Sequence, residues 1–114
     1  MEPIAGDALR GHLETMILAA LETGAAHGFE ILRRLTEAGS GALRLREGSL
    51  YPALYRMEEA GLIASEWEEG SARRRGPRRR VYELTRRGHT RLAAGRAEWR
   101  RFVHVIGNIL GAPA

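Results

Sequence analysis

The sequence contains neither cysteine nor lysine. Without cysteine there is no disulfide framework and no thiolate metal site, which fits a reducing compartment. No apolar stretch approaches the ~20 residues that span a bilayer. The opening residues, Met1 to Leu9, carry acids and scattered apolar side chains where a secretory signal needs a basic lead and a continuous apolar run. These absences predict a soluble, cytoplasmic protein with no membrane contact. The parts of an enzyme are missing too: no Walker-type glycine loop, no G-x-S-x-G and no thiol nucleophile. His12, His27, His89 and His104 are far apart and at no metal-ligand spacing, and His27 beside Gly28 reads as a turn or helix-cap residue. Glu58 with Glu59, and Glu68 with Glu69, read as solvated pairs. The chain is expected to be no enzyme and to need no metal or cofactor.

What is present is arginine, unevenly placed. With 114 residues, the chain is long enough for one packed unit and too short for two. Up to Ala42 there are 3 Arg against 6 acids, a balance of −3, whereas from Leu43 to Arg91 there are 12 Arg against 7 acids, a balance of +5. A lysine-poor composition accounts for the use of arginine but not for its concentration. The guanidinium fork pairs bidentately with phosphate and with guanine edges, so a basic middle points to a nucleic acid.

Periodicity predicts four helices and one hairpin. Leu9, Leu13, Met16, Ile17, Ala20 and Leu21 recur at helical spacing, with Asp7 as N-cap and Gly24 as stop. Phe29, Ile31, Leu32 and Leu35 give a shorter amphipathic helix that ends near Gly39. A third begins at Gly48 and Ser49, tolerates Pro52 as a first-turn residue, sets Leu50, Leu54 and Met57 on one face and stops at Gly61. Alternation then marks two strands, Leu62 to Trp67 and Val81 to Thr85, around a loop holding Arg73, Arg74, Arg75, Arg78, Arg79 and Arg80. Such a loop is costly to bury and should lie in solvent until an anionic surface neutralises it. Thr85 caps a last helix, whose Leu92, Trp99, Phe102, Val103, Ile106, Ile109 and Leu110 follow an approximately seven-residue spacing. No other long helix can cover that stripe, and a second copy of the chain is the simplest cover. The expected fold is mainly α with a small β-hairpin: a winged helix-turn-helix over residues 1–84 and a dimerisation helix over 85–114, in one structural unit.

The third helix is the candidate recognition element. Ser49, Tyr51, Pro52, Tyr55 and Arg56 can lie outside its core face and meet a major groove, which admits one α-helix. Tyr51 and Tyr55 can instead be half-buried packing residues with wet hydroxyls, and for Tyr51 that reading is as good as the groove contact. Arg44 and Arg46 are available for backbone contacts or surface ion pairs. Two-fold symmetry predicts a pseudo-palindromic duplex site. Trp99, near the middle of the apolar stripe, either fills the dimer interface or faces its copy across a cleft suited to a planar aromatic small molecule. RNA binding and a protein-interaction module are the alternatives. RNA recognition would need stacking aromatics on an open sheet, and the strands offer only Trp67 and Tyr82, on a face read as packed.

Several stretches carry a family resemblance: Leu-Glu-Thr-Met-Ile-Leu-Ala-Ala-Leu at 13 to 21, His-Gly-Phe-Glu-Ile at 27 to 31, Gly-Ser-Leu-Tyr-Pro-Ala-Leu at 48 to 54, Glu-Glu-Ala-Gly-Leu-Ile at 58 to 63 and Val-Tyr-Glu-Leu-Thr-Arg-Arg-Gly at 81 to 88. As a set they resemble the PadR family of bacterial transcriptional regulators, from about Leu9 to Leu92. Phe29 stands where that family more often shows tyrosine. The short C-terminal helix looks like the compact branch, in which it makes the homodimer. The resemblance implies a repressor whose DNA binding is often relieved by a small-molecule effector.

Overall fold

A computed structural model of the chain describes residues 11–43, 45–68 and 79–111. Helix α1, Leu13–Leu21, buries Ile17, Leu18 and Leu21 on one face. Its N-cap is His12, which makes no side-chain capping bond, and Asp7, expected in that role, lies outside the described residues. After the turn at Gly24 the chain forms a short strand, β1, Ala26–His27, and passes directly into α2, Gly28–Ala38. His27 has extended backbone angles, and its ring accepts a hydrogen bond from the Glu30 N–H, so it is the cap its position suggested. Ile31 and Leu35 are buried one helical turn apart. Phe29, assigned by periodicity to the same apolar stripe, is instead 60% exposed, because at about 3.6 residues per turn it points away from the face of the buried Gly28, Ile31 and Leu35.

Helix α3, Glu47–Glu59, begins slightly earlier than its glycine and serine suggested. Pro52 therefore falls in the second turn, not the first. It has no N–H to donate to the Gly48 carbonyl. The helix turns Leu50, Ala53, Leu54 and Met57 inward, where Leu50 and Leu54 are fully buried.

Strands β2, Ile63–Trp67, and β3, Arg80–Leu84, form the expected antiparallel hairpin. They belong to a sheet of three strands, not two, in the order β1-β3-β2, with Ala26 opposite Tyr82 and His27 opposite Val81. Register places Ile63 opposite Leu84, Ser65 opposite Tyr82 and Trp67 opposite Arg80, so these six side chains share one face. That face is packed only at its inner end. Ile63 and Tyr82 are buried, but Trp67 extends beyond the core and is 51% exposed, contrary to the packed position alternation implied.

Helix α4, Arg86–Leu110, has 25 residues and is about 37 Å long at 1.5 Å per residue. Thr85 caps it: Oγ1 accepts from the Gly88 N–H at 3.0 Å and donates to the Gly61 carbonyl at 2.6 Å, pinning the helix start to the α3–β2 turn. A Cβ at Gly88 would overlap the Leu62 carbonyl oxygen, so only glycine lets α4 come this close. One turn further, Leu92 is 1% exposed. It packs in the chain's own core and is not available to a partner, a correction to its expected place at a dimer interface. The apolar periodicity runs through this residue unbroken, but the core ends just after it.

Candidate nucleic-acid interface

The inward commitment of Leu50, Leu54 and Met57 fixes what α3 shows to solvent. Ser49, Tyr51, Pro52, Tyr55 and Arg56 are all exposed, Tyr55 at 69%. Both readings of Tyr51 have a part in its position: the residue is largely exposed, yet its phenol lies against Gly28, where a Cβ would displace the ring. This contact joins the outer face of α3 to the start of α2. Arg46 is exposed at the head of α3, while Arg44 lies outside the described residues.

Of the loop arginines, Arg73, Arg74, Arg75 and Arg78 lie outside the described residues, and Arg79 and Arg80 stand at the hairpin base. Their settings differ. Arg80 Nε donates to Ser65 Oγ at 2.8 Å, Nη2 lies 3.6 Å from Glu58 Oε2, and the guanidinium sits 4.9 Å from the centre of the Trp67 ring. Ser65 Oγ is 2.8 and 2.9 Å from the two Glu58 carboxylate oxygens. Arg80 thus ties the hairpin to the C-terminal end of α3. Burial, reinforced by the Glu58 carboxylate, pushes the Tyr82 phenol up, so it stays protonated beside this network. Arg79 places Nη1 2.9 Å from His27 Nε2. Sequence reasoning missed His27, Ser65 and Glu58 as neighbours of these arginines, because their partners lie on other elements.

The arginines of α2 are committed elsewhere. Arg33 binds the Glu30 carboxylate through two nitrogens and Glu37 Oε1 at 2.6 Å. These bonds, with help from Arg34, hold the Glu30 carboxyl at about 2. Arg34 Nη1 donates to the Ala20 and Gly24 carbonyls at 2.9 and 2.7 Å, satisfying acceptors at the end of α1. The α2 arginines are thus engaged within the domain, while Arg46 and Arg56 are exposed at α3 and Arg79 is exposed at the hairpin base.

A second exposed surface runs along distal α4. Trp99, Phe102, Ile106, Ile109 and Leu110 are exposed, Val103 is half-buried, and Val105, which the spacing passed over, is also exposed. Trp99 and Phe102 stack with centroids 5.8 Å apart and planes 18° apart, and His12 meets the indole edge-on at 5.3 Å. Among the described residues no cluster of three His, Asp or Glu could hold a metal, and no helix is long and apolar enough to cross a membrane.

An exposed α3 beside a basic hairpin is the arrangement of a winged helix, and the model of the transcriptional regulator PadR-like family matches residues 17–94. The chain belongs to that family. The fold agrees across solved structures of PadR-like and other transcriptional regulators. A transcriptional regulator from Clostridium thermocellum is 29% identical with a TM-score of 0.80, covering 90% of this chain and 97% of its own. A PadR family transcription regulator from Clostridium difficile is 33% identical with a TM-score of 0.74, covering 88% and 99%. An uncharacterized protein of Lysinibacillus sphaericus is 25% identical over 103 residues, 90% of this chain and 92% of its own length. This PadR-like chain is accordingly a DNA-binding transcriptional regulator of winged-helix fold, from a family of regulators and not of enzymes.

Proposed function

We propose that this regulator is a homodimeric, cytoplasmic repressor that lays two copies of α3 into major grooves of a pseudo-palindromic operator and is released by a planar aromatic small molecule. The observation that carries the reading is the split of α3. One side is buried, and the other presents Ser49, Tyr51, Pro52, Tyr55 and Arg56 beside the arginines at the hairpin base. Arg56 is the base-reading candidate, since a guanidinium can pair bidentately with guanine. Arg79, together with Arg73, Arg74, Arg75 and Arg78 of the loop, supplies phosphate contacts that position without specifying. Arg80 contributes through the hairpin pose it stabilises and through whichever N–H groups Ser65 and Glu58 leave.

Dimerisation rests on the exposed stripe of Trp99, Phe102, Val103, Ile106, Ile109 and Leu110, an apolar surface of the kind that marks an association site. Residues 1–84 then carry DNA reading and 85–114 carry pairing, with the first turns of α4 shared between the two tasks. The half-exposed Trp99 indole, stacked on Phe102, is the surface for the effector. Such a ligand regulates only by binding differently to the DNA-competent and DNA-incompetent spacings of the two α3 helices.

Selection of bound sequences from a random duplex pool tests the reading. Palindromic half-sites about one helical turn, or a multiple of it, apart are expected. Arg56→Ala should cost about 1 to 3 kcal/mol on the selected site and leave non-specific binding nearly intact. Affinity should fall by ~10³ to 10⁵ between about 50 and 200 mM salt if the dimer makes about 6 to 10 phosphate contacts. Asymmetric sites with uniform loss in Arg56→Ala would remove α3 from the groove, and indifference to duplex DNA would favour a protein-interaction module.

A further inference from the structure

The buried side chains of the hairpin stop short of its outer end. Ile63 and Tyr82 are buried, but the last cross-strand pair of β2 and β3 sets an exposed Trp67 opposite Arg80. Polar contacts hold this end. Arg80 Nε donates to Ser65 Oγ at 2.8 Å, and Ser65 Oγ lies 2.8 and 2.9 Å from the two Glu58 carboxylate oxygens. A hydroxyl has one proton to give, and a guanidinium can only donate. The Ser65 proton therefore goes to Glu58, and the hydroxyl joins the guanidinium to the carboxylate. Arg80 Nη2 lies 3.6 Å from Glu58 Oε2, and the guanidinium carbon lies over the Trp67 ring, 4.9 Å from its centre. Glu58 from α3, Ser65 and Trp67 from β2 and Arg80 from β3 thus form one connected set.

The Glu58 and Arg80 side chains are 33% and 41% exposed, and an ion pair this wet adds little to stability. Its effect is on direction. Tyr51, Tyr55 and Glu58 follow one another at spacings of four and three, so they share one strip of α3. The strip that shows Tyr51 and Tyr55 to solvent therefore ends in the contact that fixes the hairpin. Glu58, which reads as a solvated residue in the sequence, is engaged across two elements.

We propose that Glu58 and Trp67 are positioning residues for DNA binding: between them they hold Arg80, and with it the outer hairpin, at a set angle to α3. The inference rests on α3 and the hairpin being the operator-binding surface. Base contacts from a helix and phosphate contacts from a hairpin form together only if the two elements keep their spacing, and a spacing fixed in advance costs less order on binding. The sign of the effect separates positioning from charge. A carboxylate repels a phosphate backbone, so Glu58 acting as a bare charge would tighten binding on removal, whereas loss of the held geometry weakens it.

The test is fluorescence anisotropy on the selected operator, at fixed salt and neutral pH, of wild type, Glu58→Ala, Trp67→Ala, Trp67→Phe and the double alanine variant. Each single alanine variant should bind roughly 3- to 10-fold more weakly, the range of one hydrogen bond. Trp67→Phe keeps an aromatic face over the guanidinium and should bind close to wild type. The double variant should be no weaker than the weaker single one, because both changes release the same side chain. A second readout needs no DNA. The chain has two tryptophans, so Trp99→Phe leaves Trp67 as the one indole, and acrylamide quenching of its emission should rise when Glu58→Ala is added. Glu58→Ala that binds as tightly as wild type, or more tightly, overturns the proposal, as do unchanged quenching and losses that add in the double variant. If Glu58→Ala fails to fold, Ser65→Ala cuts the same connection with no change of charge and carries the comparison. Wild type that binds no duplex DNA overturns the operator reading and this inference with it. Operator binding by wild type with indifferent variants overturns the role of Glu58 and Trp67 alone.

Discussion

The two halves of α4 share one continuous helical backbone and bury opposite things. From Arg86 to Gly95 the helix is part of the domain core: Gly88 lies on the Leu62 carbonyl, Gly95 lies on the Thr15 side chain, and Leu92 is fully buried. From Trp99 to Leu110 the same stripe is made of large apolar residues that stand in solvent. The junction is marked by ion pairs, with Arg96 reaching both carboxylate oxygens of Glu22 at 2.9 and 2.8 Å, and Arg91 lying 3.6 Å from both Glu14 and Glu98. Small residues let a helix close on its own domain, and large apolar ones past the edge of that domain need another surface. A single periodic stripe can therefore serve two interfaces, and residue size tells them apart.

The largest effects should come from the proximal half. Gly88→Ala sets a Cβ against a backbone oxygen that cannot swing aside, so α4 must lift from the α3–β2 turn, with an expected loss of about 3 kcal/mol. Leu92→Ala leaves a cavity in the same place and should cost about 2 to 5 kcal/mol. Urea unfolding measures both. If either variant is as stable as Ile109→Ala, the two halves do not differ in the way described.

A smaller effect, of a different kind, is expected at Trp99. Trp99→Ala should weaken self-association about 10- to 100-fold in sedimentation, as loss of an aromatic anchor does. Unfolding of the dilute monomer should be almost unchanged. A planar aromatic compound that binds there should quench wild-type tryptophan emission but not the remaining Trp67 emission of the variant. Quenching that survives in Trp99→Ala and vanishes in Trp67→Phe moves the ligand to the hairpin.

The smallest effect concerns the junction. The hydrogen bond from Arg96 lowers the Glu22 pKa below its usual 4.5. A carboxyl depressed in the folded state stabilises the fold at neutral pH, and that contribution disappears as pH falls through the unfolded value to the folded one. Both partners are well exposed, so the contribution is small and salt should shrink it further. Glu22→Gln should thus melt slightly below wild type at neutral pH, and the gap should shrink as pH falls below 4.5. A gap that persists in acid assigns the difference to packing and not to charge.

The sequence by itself determined the helices, the caps at His27 and Thr85 and the facing of α3. These depend on residues three or four apart, and Thr85, His27 and the Leu50, Leu54, Met57 stripe carry that information locally. The family pattern lay in the same short stretches. Tertiary structure decided what covers each face. Strand β1 has two residues and no alternation to detect, and it exists because β3 lies beside it. Leu92 and Trp67 both sit on apolar faces by periodicity, yet one is buried and the other exposed, because periodicity gives direction and not the distance to the edge of the core. The pairing of Arg80 with Ser65 and Glu58, of Tyr51 with Gly28, and of Arg79 with His27 brings together residues from different elements. Their chemistry depends on which donor meets which acceptor across those elements, and that is fixed only when the elements pack.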